Sequence, residues 1–79
     1  MAHNLMQASR VTMGMVMDVI RSTRETPLSE REIAIVLGAP RARVARAIQA
    51  LERRGEVVGA TPSDLAQNTD LETRYSPAW

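Results

Sequence analysis

The chain contains no cysteine, no lysine and no phenylalanine, and Tyr75 and Trp79 are its only aromatic residues, 3% of the sequence. Without cysteine there can be no disulfide, no thiol nucleophile and no cysteine-ligated metal site. With so few aromatics, the core has to be aliphatic, built from Val, Ile, Leu, Met and Ala. Apolar runs such as "IAIV" at residues 33–36 fall far short of the ~20 residues that cross a bilayer, so no membrane role is expected. The opening "MAHNLMQASR" lacks the charged-then-apolar layout of a secretory signal, and a cytoplasmic protein is expected. Histidine is represented by His3 alone, and no glycine-rich phosphate loop or metal-ligand cluster is present. Asp70 and Glu72 are paired by spacing, but they read most simply as solvated loop or edge-strand charges. No enzymatic chemistry, cofactor, metal site or small-molecule ligand is therefore expected.

What remains is 79 residues with 44% apolar content. That is enough chain for one small domain and its single core. A disulfide-free domain of this size depends on good helix packing or on a partner.

All ten basic residues are arginine. A GC-rich coding bias explains that bias in type, although guanidinium also suits bidentate contacts to phosphate and guanine. The distribution along the chain is more telling. Residues 1–40 balance Arg10, Arg21, Arg24 and Arg31 against Asp18, Glu25, Glu30 and Glu32. Residues 41–54 set Arg41, Arg43, Arg46, Arg53 and Arg54 against Glu52, a net +4. Residues 55–79 set Arg74 against Glu56, Asp64, Asp70 and Glu72, a net −3. The formal net charge of +1 thus hides a basic middle and an acidic end. Positive charge clustered on one helix is an electrostatic footprint for phosphate, though a solvated helix face would look the same by charge alone.

Periodicity predicts a first helix from about Leu5 to Ser22, with Asn4 and Gln7 as a capping-box-like pair. Met13, Val16, Met17 and Ile20 form its main apolar stripe, widened by Val11, Met15 and Val19 to roughly 200°, well beyond the ~100° of one packed face. Such a helix is either sandwiched centrally or touches something outside the domain; its methionines, Met6 included, read as core filler. Pro27 ends it by pushing Thr26 out of helical geometry. Ser29 and Glu32 form a capping box for a second helix, about 30–37, that stops at Gly38. Ile33 and Leu37 face inward there, flanked by Ala34 and Val36, while Ile35 looks exposed. Pro40 opens a third helix, about 41–54, ending at Gly55. "EVVGA" and "LETRYSPAW" read as strands of a hairpin whose long tip is "TPSDLAQNTD", and "TPLS" can add a first strand. Trp79 is expected to pack back onto that hairpin.

On the third helix, Val44, Ala47, Ile48 and Leu51 make an inward stripe. Ala42, Ala45, Arg46, Gln49 and Arg53 lie opposite, with Arg41 and Arg43 on the shoulders of the first turn. Small Ala42 and Ala45 allow close approach of a partner, and Arg46 and Gln49 have the chemistry to read guanine and adenine edges. Arg41 and Arg43 are placed to hold phosphates near a helix start that itself favours anions.

With "SEREIAIVLG" as supporting helix, "RARVARAIQALERRG" as recognition helix and "EVVGA…ETRYSPAW" as wing, residues from about Val16 to Trp79 resemble the winged helix-turn-helix superfamily of DNA-binding domains. The resemblance implies a mainly α fold of three helices with a two- or three-stranded wing sheet at about 56–79, and a recognition helix that enters the major groove of double-stranded DNA. By position, the groove-facing residues are Arg41, Ala42, Arg43, Ala45, Arg46 and Gln49; Arg53 continues the stripe. Three departures matter: Pro40 stands where a side-chain N-cap is common, Glu56 follows Gly55 where an apolar residue is common, which exposes the start of the wing, and the wing is acidic, so its insertion into a minor groove is not expected.

The expected function is sequence-specific DNA binding by a small transcriptional regulator of prokaryotic or phage type, acting by occupying an operator. The alternative is a protein-interaction module that keeps the fold without binding DNA, and the alternative fold is a three-helix domain with a disordered tail. Surplus apolar residues Met15 and Val19 on the first helix, with Ile35 on the second, suggest a homodimer through the first helix that leaves both arginine-bearing helices facing DNA.

Overall fold

A computed structural model describes residues 11–61 and 72–79. Its elements are α1 (Met13–Ser22), β1 (Leu28–Ser29), α2 (Glu30–Leu37), α3 (Arg41–Arg53), β2 (Val57–Ala60) and β3 (Arg74–Pro77). Three helices thus stand with a small three-stranded antiparallel sheet, in the order β1-β3-β2. The sheet rules out the purely helical alternative. β3 pairs Tyr75 with Leu28 on one side and with Gly59 on the other, so the last strand lies between the other two.

α1 begins later than its periodicity suggests. Thr12 is extended, and its hydroxyl accepts from the Met15 amide at 3.1 Å, which caps a helix starting at Met13. Hydrophobic period alone cannot see such a stop, because Val11 continues the stripe while its backbone does not continue the helix. The expected residues 4–10 of that helix, Asn4, Met6 and Gln7 among them, lie outside the described residues, as does His3.

α2 and α3 end in the same way. Gly38 and Gly55 take left-handed φ values of 63° and 76°. Ala39 N–H then donates to Ala34 O at 3.0 Å, and Glu56 N–H to Leu51 O at 2.9 Å, the six-to-one closure of a Schellman motif. A side chain at either glycine would be strained. α3 stops at Arg53, with Arg54 as cap, one residue short of the expected end.

The core gathers Val16, Met17, Val19 and Ile20 from α1, Ile33 and Ala34 from α2, Val44, Ala47, Ile48 and Leu51 from α3, and Val57 from β2. α1 packs against α2, α3 and β3, so it is the sandwiched helix that its wide apolar arc allowed. Consequently Val19 is only 9% exposed and belongs to the core, while Met15 stays at the surface at 37%. Two inward expectations fail. Val36 is exposed because the buried arc of α2 centres between Ile33 and Ala34, leaving Val36 outside it. Trp79 is 67% exposed rather than packed on the hairpin; its backbone oxygen accepts from Arg24 at 2.9 Å, which holds the chain end beside the turn after α1.

A polar node ties the sheet to α2. Ser29, 1% exposed, accepts from the Glu32 amide, and Glu32 Oε1 accepts in return from the Ser29 amide at 2.9 Å, completing the capping box. Arg74 Nη1 donates to the same Glu32 oxygen at 2.9 Å and to Pro27 O at 3.1 Å. The Ser29 amide, and then Arg74, hold the Glu32 carboxyl below its ordinary 4.5. Glu72 is lowered likewise by the Ser29 hydroxyl and by Arg31, which it meets at 3.0 Å.

Candidate nucleic-acid interface

The inward stripe of α3 is buried as its spacing requires, and this fixes which residues face outward. Ala42, Arg46, Gln49 and Arg53 are exposed, Ala45 is half-buried, and Arg41 and Arg43 are exposed on opposite shoulders. All seven sequence-derived candidates therefore lie on or beside one solvent-facing surface of a 13-residue helix. Cβ atoms at Ala42 and Ala45 leave this surface shallow between longer side chains.

The arginines differ in what they already hold. Arg41 Nε meets Glu30 Oε1 at 2.6 Å, across the turn between α2 and α3. Arg54 Nε meets Glu56 Oε2 at 2.8 Å, and its Nη1 reaches Met13 Sδ at 3.7 Å. Among the described residues, Arg43, Arg46 and Arg53 have no hydrogen bond or ion pair. Exposed pairs such as Arg41–Glu30 contribute about 0–1 kcal/mol, so the pairing neutralises Arg41 more than it stabilises the fold. Eleven residues separate the partners, and only the tight turn brings them together, so no local spacing in the sequence announces this pair.

The two flanks of α3 differ in charge. On the sheet flank, Glu30, Glu52 and Arg41 surround Tyr75; burial, with Glu52 and then Glu30, pushes its phenol above the ordinary 10.0, against Arg41. The flank toward α1 opens as a shallow groove lined by Val11, Met13, Arg43, Arg46, Ala47 and Ala50, with no carboxylate in its walls.

At the start of α3, Pro40 supplies no side-chain cap and the first turn holds no acid. Helix N-termini carry partial positive charge, so Arg41 and Arg43 add repulsion there that an anion would relieve. The wing carries less free charge than its composition suggests: Glu72 is engaged by Arg31 and Arg74 by Glu32. Asp64 and Asp70 lie outside the described residues. Among the described residues no three His, Cys, Asp or Glu side chains group as a metal site, and no helix is long and apolar enough to cross a membrane.

Comparison with protein-family models, with curated proteins and with solved structures found no match to this chain.

Proposed function

We propose that the chain is a winged helix-turn-helix protein that binds double-stranded DNA sequence-specifically, with α3 in the major groove. The observation that carries this reading is the pairing state of α3: among the described residues, Arg43, Arg46 and Arg53 stand uncommitted beside Gln49 on the face opposite the buried stripe. Arginine left unpaired on a rigid, shallow helix surface costs the fold little and is ready for phosphate or guanine. The element order, with a tight turn between α2 and α3 and a sheet ordered β1-β3-β2, supports the winged-helix arrangement. In this reading Arg46 and Gln49 contact base edges, Arg43 and Arg53 contact phosphates, and Ala42 and Ala45 permit close approach. The chain acts in the cytoplasm as a small prokaryotic or phage transcriptional regulator, by occupancy and without catalysis.

The proposal includes a homodimer through α1, and its contact centres on Met15, since Val19 is buried and Met15 is the one large apolar residue that α1 exposes among the described residues. Light scattering at micromolar concentration tests it: a dimer mass abolished by Met15→Glu supports the interface, and a monomer mass refutes it.

The protein-interaction alternative draws on Ile35 and Val36, neighbouring apolar side chains left at the surface of α2. Selection of bound sequences from a random duplex pool decides between the two. The DNA reading expects an enriched motif and a log–log salt slope of about −0.9 per phosphate contact. Failure to retard any duplex at low salt refutes it.

A further inference from the structure

We infer that this protein grips the DNA backbone from one side only: one strand's phosphates lie along the groove between the start of α1 and α3, and the sheet flank stays off the backbone. The inference rests on the DNA-binding reading and specifies its docking.

Uncommitted charge is concentrated on one flank. The groove bounded by Arg43 and Arg46 has an apolar floor of Val11, Met13, Ala47 and Ala50, and both guanidiniums remain without a partner among the described residues. On the other flank, Arg41 is taken by Glu30, Arg31 by Glu72 and Arg74 by Glu32. Glu52 adds a carboxylate without an ion pair among the described residues. A phosphate approaching that flank meets neutral ion pairs and the Glu52 carboxylate, and it would have to displace Glu30 to reach Arg41.

Screening keeps the two flanks distinct. A helix with its side chains is about 10–12 Å across. The Debye length at physiological salt is about 8 Å. Glu52 therefore repels phosphate locally while leaving the Arg43–Arg46 groove largely attractive. No carboxylate lines this groove to compete with phosphate for Arg43.

The experiment uses the full chain and a duplex chosen from the random-pool selection, with affinity measured against salt for wild type, Arg43→Gln, Arg41→Gln and Met13→Glu. Arg43→Gln is expected to flatten the log–log slope by about 0.9, one phosphate contact. Arg41→Gln is expected to leave it unchanged. Met13→Glu puts a carboxylate into the groove, at a helix start where acids favour the helix, and is expected to weaken binding tenfold or more. Arg43 and Arg41 are exposed, so their variants keep the fold even if Met13→Glu does not. A slope flattened equally by Arg41→Gln, or untouched by Arg43→Gln, overturns one-sided docking while leaving DNA binding in place. Absence of any duplex binding by wild type overturns both.

Discussion

α2 and α3 close with the same Schellman geometry and rest on the same core, yet they open in opposite ways. α2 starts with Ser29 and Glu32 bonded reciprocally, and with Glu30 and Glu32 in its first turn. α3 starts at Pro40 with no side-chain cap, no acid in the first turn, and Arg41 and Arg43 where the helix end is already positive. The first arrangement satisfies the helix internally. The second leaves an electrostatic demand that only something outside the helix can meet, and Glu30 meets it for Arg41 alone. The start of α2 thus serves stability, while the start of α3, eleven positions further on, is left for the proposed binding.

The largest effects should ignore this difference. Ile33→Ala in α2 and Ile48→Ala in α3 remove side chains that are 0% and 1% exposed, and each is expected to cost about 2–5 kcal/mol in urea unfolding. Similar losses would show that both helices depend on one core however they are capped; a clear inequality would break the comparison at its base. Next, Arg46→Ala is expected to cost about 1–3 kcal/mol of discrimination at a single base pair, read by competition among duplexes, with unfolding unchanged. Equal weakening on every duplex would instead make Arg46 a phosphate contact.

Ser29→Ala should do the reverse. Losing the cap costs about 0.5–2 kcal/mol, at the upper end here because Ser29 is buried, while DNA affinity of the folded protein stays as it was. The same node sets an acid limit. Glu32 and Glu72 both titrate below 4.5 in the folded chain, so the stability they contribute is present above that value and is lost as pH falls through their lowered range. Thermal unfolding against pH should therefore show a decline beginning below about pH 4.5, shallower in Glu32→Gln.

The smallest effect on stability is the sharpest test of the contrast. Pro40→Asp gives α3 the cap it lacks, worth about 1 kcal/mol. It also gives up proline's restriction of the unfolded chain, worth about 0.4–1 kcal/mol. Stability should consequently move by no more than about 0.5 kcal/mol, while the new carboxylate beside Arg41 and Arg43 weakens duplex binding in gel retardation. Unchanged binding would detach the bare start of α3 from function.

Local chemistry was legible along the chain wherever one short stretch contained all the partners. The Ser29–Glu32 box, the left-handed turns at Gly38 and Gly55, the buried stripe of α3 and the outward set of Arg46, Gln49 and Arg53 all depend on residues at most a few positions apart, which helical geometry brings together whatever the rest of the chain does. The start of α1 is masked in the sequence for a related reason: Thr12 carries a capping hydroxyl, but the apolar period runs on through Val11 past the cap. Burial of Val19 was decided only when α1 was packed between α2, α3 and β3, exposure of Val36 and Trp79 by where the core left them, and the pairs Arg41–Glu30, Arg31–Glu72 and Arg74–Glu32 by how α3 and the last strand are set against α2. A hydrophobic arc states that a side chain can be buried, and a formal charge that it can be paired. Which neighbour arrives to do so depends on how elements distant in sequence are packed, and among the described residues that packing gives Arg41 the Glu30 carboxylate while Arg43, Arg46 and Arg53 have no such partner.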